Sequence, residues 1–80
     1  MATTTTEKLT IEKMEYMVWV VEVAAKAFFC GDKTTTYETM ISSGLWDIYI
    51  DNYETTHSLG MEYLLAEMKE YFNVNGVIIP

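Results

Sequence analysis

A long helical pattern near the N-terminus has far more apolar than polar surface. Its polar residues, together with one tryptophan, form a single narrow stripe, a wedge of about 80° at helical spacing. The members of this stripe are Lys8, Glu12, Glu15, Trp19, Glu22 and Lys26. The other side chains are almost all apolar and span roughly 240°, about twice the width that one core face needs. Two explanations stay open: a central helix surrounded by the rest of the chain, or a helix that uses part of its surface to bind another chain.

Length limits how much of that helix one chain can cover. Eighty residues make one domain, and such a chain buries only about 60% of the surface that its unfolded form exposes. Cys30 and His57 are the only residues of their kinds, so a disulfide within the chain is impossible and a structural zinc site is disfavoured. We expect no metal or cofactor, and instead a homo-oligomer, with a dimer as the simplest case. Its predicted seam on the first helix consists of Met17, Val20, Ala24 and Phe28.

The predicted fold class is all-α, a small bundle of three to four helices with the long first helix at its centre. Residues 1–6 are expected to form a disordered tail, residues 7–76 a single helical domain, and residues 77–80 a C-terminal tail. Three outcomes stay open for the C-terminal tail: an added strand, a cover over an edge of the core, or a loose end.

Caps and glycines predict the boundaries of the first helix. It is expected to begin at Glu7 or Thr10 and to run to Cys30, with Gly31 as its stop. Because Cys30 closes an apolar run, we expect a buried small hydrophobe there rather than a reactive thiol.

Further helices are predicted along the rest of the chain. Thr35 and Glu38 have the spacing of a capping box, so a short second helix is expected to begin there and to end at Gly44. Residues 45–53 include strand-like β-branched residues, yet their acidic and aromatic residues recur at helical spacing, which favours a helix. Residues 58–72 have one apolar face and predict an amphipathic last helix.

The charge of the chain points to its partners. The formal net charge is −7, from twelve acidic residues against five lysines, with no arginine. Arginine is the usual ligand of phosphates and base edges, so nucleic-acid binding is disfavoured. An acidic surface favours a basic protein partner and disfavours anionic membranes. No signal-like segment opens the chain, no apolar run reaches membrane-spanning length, and the single cysteine suits a reducing compartment, so we expect a cytoplasmic location.

The polar stripe of the first helix supplies candidate partner-binding residues. These are Glu12, Glu15, Trp19 and Glu22. Tryptophan is enriched among interface hot spots, so Trp19 within a solvated stripe is a candidate binding anchor. The alternative is that its ring folds back over Tyr16 and Val23.

The lone histidine has a catalytic and a structural interpretation. His57 lies within a turn of Glu54 and close to Asp51, an arrangement typical of a general base or half of a metal site. The chain offers neither a nucleophile nor a second imidazole to complete such a site. Helix capping or hydrogen bonding to a tyrosine is therefore the favoured role. We predict no catalytic residue, and the protein is expected not to be an enzyme.

Residues 43–63 resemble the core signature of a family of short bacterial proteins, family thirty-seven ninety-one of the domains of unknown function. That signature reads Asp-Tyr-Ile, then Tyr-(x)3-His-(Ser/Thr)-x-Gly-x-Glu-Tyr. Its most specific part is carried here by Tyr53, His57, Glu62 and Tyr63. Residues 47–49 read Asp-Ile-Tyr where the family tends to read Asp-Tyr-Ile.

The resemblance has implications for function. Members of the family are often encoded beside ADP-ribosyltransferase-like effector proteins, which implies an accessory or antitoxin-like partner and makes Tyr53, His57 and Tyr63 candidate contact residues. Together with the acidic composition, this predicts a bacterial protein that acts by protein–protein interaction. The alternatives are a helix-turn-helix-type regulator and, second, a small His-dependent or metal-dependent enzyme.

Overall fold

The computed structural model describes residues 10–80, and this part of the chain is helical, without strands. The predicted all-α fold class is confirmed. The helices are α1 (Ile11–Phe28), α2 (Lys33–Ser43), α3 (Leu45–Asp51), α4 (Tyr53–Thr56) and α5 (Met61–Val74). The predicted tail over residues 1–6, the start at Glu7 and the stripe residue Lys8 lie outside the described residues. No helix of residues 10–80 is long and apolar enough to cross a bilayer.

The first helix begins directly after Thr10, one of its two predicted starting points, and ends three residues before the predicted stop at Gly31. The Thr10 hydroxyl accepts a hydrogen bond from the backbone N–H of Lys13 at 3.2 Å. Beyond Phe28 the chain turns through two residues in the left-handed region, Cys30 at φ 56° and Gly31 at φ 85°. The Cys30 side chain is exposed, so the expectation of a buried small hydrophobe is wrong. The helix ends before Cys30, and the turn carries that side chain outward.

The second helix begins earlier than the predicted capping box. Asp32 is its N-cap, because one carboxylate oxygen accepts the backbone N–H of Thr35 at 3.0 Å. The other oxygen accepts the Thr35 hydroxyl at 2.7 Å. Thr35 is therefore a residue of the first turn and not the cap, and the predicted pairing of Thr35 with Glu38 is wrong. The predicted end at Gly44 is confirmed, with a left-handed φ of 86° that lets α3 begin at the next residue.

Residues 45–51 are helical, which confirms the helix predicted from their spacing and excludes the strand. One further turn, α4, follows at residues 53–56. The last helix begins at Met61 rather than at residue 58, because residues 57–60 form a turn that separates it from α4.

The core lies where one face each of α1, α3 and α5 meet, with contributions from α2 and the α1–α2 turn. Its buried apolar members are Met17, Val20, Ala24, Phe29, Met40, Leu45, Tyr49, Ile50, Leu64, Met68 and Phe72. The three α5 residues of this set recur every four residues, the spacing of one helix face. The predicted amphipathic character of the last helix is thus present in the structure.

The core contains most of the predicted oligomer seam. Met17, Val20 and Ala24 are fully buried by their own chain, and Phe28 is half-buried with its ring 6.5 Å edge-on from Phe72. Three of the four predicted seam side chains are thus covered by their own chain, so the seam cannot form as predicted. The apolar surface that α1 leaves exposed lies on another side of the helix.

The C-terminal tail covers an edge of the core. Val77 and Ile79 are half-buried against it, whereas Ile78 between them points to solvent. The backbone N–H of Val77 donates to the carbonyl of Phe72 at 2.8 Å, which turns the chain back after α5. Among the three outcomes left open by the sequence, the structure shows the cover.

Candidate partner-binding site

Side chains from α1 and from the region of α4 line an open polar pocket of about 620 Å³, here named the acidic aromatic pocket. Its lining residues are Glu12, Glu15, Tyr16, Tyr53, Glu54 and His57. Helix geometry explains the grouping, because residues three and four apart on α1 share a face, as do those three and four apart around α4. The two short faces meet across the pocket.

An aromatic cluster forms the floor of this pocket. Tyr16 packs edge-on against Tyr53 with ring centroids 5.4 Å apart, and Tyr53 stacks on His57 at 4.3 Å with an interplanar angle of 9°. Tyr16 also meets the His57 ring edge-on at 6.4 Å. Such pairs contribute about 0.5–1.5 kcal/mol each beyond the area they bury. The three rings therefore pack together at the floor of the pocket.

His57 has the structural role that was favoured from the sequence. It is the C-cap of α4, and its Nδ1 lies 2.6 Å from the carbonyl oxygen of Tyr53. Because a carbonyl oxygen only accepts, Nδ1 is the donor of this hydrogen bond. The imidazole is exposed at the pocket, where it presents an edge and a ring face.

The electrostatics of the pocket suit a cation. Three carboxylates, of Glu12, Glu15 and Glu54, stand around the aromatic floor, and no lysine of the described residues lines it. Burial raises the pKa of Tyr16, and the neighbouring Tyr53 raises it further, so this phenol stays neutral at physiological pH. Carboxylates beside neutral aromatic faces are the groups that bind ammonium and guanidinium ions.

The structure brings together four of the seven predicted partner-binding residues: Glu12, Glu15, Tyr53 and His57. Trp19 is 37% exposed at the edge of the pocket, and its ring lies back on Tyr16 with centroids 5.9 Å apart. It extends the aromatic floor instead of projecting alone into solvent.

Two predicted residues lie elsewhere, and two lining residues were missed. Glu22 forms an ion pair with Lys33 at 3.2 Å, and Tyr63 is exposed on α5 outside the pocket. Tyr16 and Glu54 were not predicted as binding residues. Their signal is spacing: Tyr16 lies four residues after a stripe carboxylate, and Glu54 lies three residues before the histidine.

A second surface of the molecule is an apolar groove of about 390 Å³ between α1 and α2, closed on one side by α3; we name it the α1–α2 groove. Its lining residues are Met17, Val18, Val21, Glu22, Lys33, Thr34, Tyr37 and Trp46. The rings of Tyr37 and Trp46 pack edge-on at 5.0 Å, which fixes one wall. In the part of the chain that the structure describes, no three His, Cys, Asp or Glu side chains are grouped as metal ligands.

Comparison with known proteins finds no matching family model, curated protein or solved structure. The resemblance of residues 43–63 to the bacterial family stays a prediction. Function is therefore inferred from the chemistry of the two surfaces themselves.

Proposed function

We propose that this protein is a protein-interaction module that binds a cationic segment of a basic partner in the acidic aromatic pocket. The observation that carries the proposal is the placement of three carboxylates around a packed aromatic floor. A positively charged side chain entering the pocket meets carboxylate oxygens at the rim and ring faces below.

Arginine fits this chemistry better than lysine. A guanidinium is planar, pairs with a carboxylate through two parallel hydrogen bonds, and stacks on an aromatic face. The exposed ring of His57 stacked on Tyr53 offers such a face, and Glu54 lies three residues away on the same segment. We therefore expect an arginine-containing segment to bind more tightly than a lysine-containing one of equal charge.

The affinity of a single anchored side chain is modest. An exposed ion pair contributes about 0.2–1 kcal/mol, and a cation over an exposed ring about 0.5–1 kcal/mol. The net charge of −7 adds long-range attraction that speeds encounter with a basic surface. Tight binding to a whole protein then requires contacts beyond the pocket, on the neighbouring faces of α1 and α4.

The cellular role proposed for the module is that of an accessory or antitoxin-like partner in the bacterial cytoplasm. It rests on the resemblance of residues 43–63 to a family of short bacterial proteins. Members of that family are often encoded beside effector proteins. An acidic module that occupies a basic surface of an effector would block the groups on that surface. The alternative regulator and enzyme functions stay predictions, since no observation in the structure favours either.

The chemistry of the pocket is tested by NMR titration of the isotope-labelled protein with a short, acetylated and amidated arginine peptide. We expect shifts concentrated on the ring signals of His57, Tyr53 and Tyr16. The double variant Glu12→Gln, Glu54→Gln should bind about tenfold more weakly, because two exposed ion pairs are lost.

A matched control separates the pocket from general charge attraction. Glu62→Gln with Glu70→Gln removes the same charge from exposed positions on α5, outside the pocket, and should leave binding close to that of the wild type. Equal weakening by both double variants, or shifts spread over the whole surface, would contradict the proposed site.

A further inference from the structure

Among the described residues that line the acidic aromatic pocket, His57 is the one whose side-chain type changes charge near neutral pH. The other titratable lining residues are Glu12, Glu15 and Tyr16 on α1, and Tyr53 and Glu54 on α4. Carboxylates ordinarily titrate near pH 4 and phenols near pH 10, whereas an imidazole ordinarily changes its charge between about pH 5 and 8. The charge of the pocket in that range therefore varies with the proton on His57.

The ring of His57 is held by the nitrogen that does not titrate. Nδ1 lies 2.6 Å from the carbonyl oxygen of Tyr53, and because that oxygen only accepts, Nδ1 carries a proton in both charge states. Nε2, on the opposite edge of the ring, is then the nitrogen that gains or loses a proton. The stack on Tyr53 and the edge-on contact with Tyr16 also involve the ring and not Nε2. Protonation thus adds a positive charge to the pocket without breaking the contacts that position the ring.

A positive charge at this place acts against a cationic ligand. When His57 is neutral, the three carboxylates around it are balanced only by the incoming cation. When His57 is protonated, it offsets one of those three negative charges and repels a guanidinium that stacks on its face. Two unit charges about 4 Å apart interact strongly enough, even in bulk water, to change an equilibrium about fivefold. Because the pocket is open to solvent, an effect of this size is expected.

We infer that His57 is a pH switch of the acidic aromatic pocket, in which the proton on Nε2 and the cationic segment of the partner oppose each other. The inference rests on the function proposed for the pocket and adds the condition under which the partner is released. Binding weakens as the pH falls through the range in which His57 gains its proton. The opposition is reciprocal, so a bound cationic segment favours the neutral ring.

The test is the NMR titration with the arginine peptide, carried out at about pH 5.5 and about pH 7.5, on either side of the ordinary imidazole range. The acetylated and amidated peptide has no group that titrates between these values. The Kd of the wild type should be about fivefold larger at the lower pH. His57→Phe keeps an aromatic face and cannot gain a proton. Its ratio of the two Kd values should be close to one, whatever its absolute affinity.

A second measurement needs no variant, and it decides the matter if His57→Phe disturbs the cap of α4. The ring signals of His57 in the wild type are followed from about pH 5 to 8, with and without excess peptide. With the peptide present, the midpoint of their change should move to lower pH.

The outcomes separate this inference from the function on which it rests. Equal peptide binding by the wild type at both pH values, with an unmoved midpoint, would overturn the switch and leave the proposed function in place. A folded His57→Phe variant with the pH ratio of the wild type would overturn the assignment to His57. No peptide binding at either pH would overturn the proposed function and the switch together.

Discussion

Tyr71 and Tyr49 differ in the hydrogen bonding of their hydroxyl groups. The Tyr71 hydroxyl donates to the carbonyl of Ser43 and so ties α5 to the end of α2. Tyr49 is 4% exposed, and its hydroxyl has no hydrogen-bond partner within residues 10–80. Burial raises the pKa of Tyr49 well above its ordinary value, and the nearby Tyr16 and Glu67 raise it further. One hydroxyl stabilises the fold, and the other is desolvated without a compensating bond.

The two tyrosine-to-phenylalanine substitutions should therefore have opposite effects on stability. Tyr49→Phe removes an unpaired buried hydroxyl and should increase the free energy of unfolding by about 1 kcal/mol. Tyr71→Phe removes a hydrogen bond and leaves the Ser43 carbonyl without it, which should cost about 1 kcal/mol. Urea unfolding of both variants, followed by circular dichroism, measures the difference.

The pH dependence of unfolding provides a check on the same pair. A phenol whose pKa is raised by folding stabilises the protein fully below its unfolded pKa near 10.0, and this contribution is lost as the pH rises toward the folded value. The free energy of unfolding should thus fall above pH 10. It should fall less steeply with pH in Tyr49→Phe than in Tyr71→Phe. If Tyr49→Phe destabilises the protein as much as Tyr71→Phe, the Tyr49 hydroxyl has a partner in solution.

At the scale of single elements, the N-terminus of α2 depends on one carboxylate. Asp32 accepts two hydrogen bonds from Thr35, and these lower the pKa of its carboxyl group. Asp32→Ala removes the cap and should lower the melting temperature by several degrees, as is typical for an N-cap. Glu38→Ala is the control, because Glu38 would be equally important if the predicted capping box were the true one.

The charge of Asp32 adds a pH signature to that prediction. Since folding lowers its pKa, the carboxylate stabilises the native state above the unfolded pKa near 3.8, and the stabilisation is lost as the pH falls further. Asp32→Asn keeps a capping oxygen and should remove this acid dependence while it retains most of the stability. The melting temperatures of Asp32→Ala, Asp32→Asn and Glu38→Ala between about pH 2 and 7 test both the cap and its acid dependence. A larger loss in Glu38→Ala than in Asp32→Ala would contradict the assignment of the cap.

The ends of helices could be predicted from the sequence where a glycine marks them. Gly31 and Gly44 stop helices because a left-handed residue is needed there, and both positions were predicted. The start of α2 was missed because Asp32 and Thr35 are both good caps, and only the hydrogen bonds distinguish them. Cys30 was misplaced for a related reason, since the apolar run of the sequence continues past the last residue of the helix.

The exposed face of α1 could not be predicted from the helix alone. Periodicity showed that the apolar residues of α1 span a wider arc than one core face needs. The exposure of Met14 and Val18 confirms this excess of apolar surface. It could not show which part of the arc the other helices cover, because that depends on where α3 and α5 pack. Met17 and Val20 were assigned to a seam for this reason, and they lie in the core.

At the scale of the whole molecule, the candidate site combines segments that are distant in the chain. The carboxylates of α1 were predicted as one group and His57 as another, and only the fold brings them to one pocket. Glu12 and Glu15 come from α1, whereas Tyr53, Glu54 and His57 come from α4 and its C-cap.

The three carboxylates of the pocket predict a salt dependence for binding of the arginine peptide. The long-range attraction between a chain of net charge −7 and a cationic peptide is screened as the Debye length falls from about 30 Å at 0.01 M salt to about 10 Å at 0.1 M. Binding of the arginine peptide should become weaker, since the same ions screen its attraction to Glu12, Glu15 and Glu54.

NMR titration with the peptide in a series of sodium chloride concentrations measures this trend. Potassium chloride serves as the control, because screening depends on ionic strength and not on the identity of a monovalent cation. Peptide binding that strengthens with salt would mean that the pocket acts through its aromatic floor, with the three carboxylates contributing nothing to the attraction.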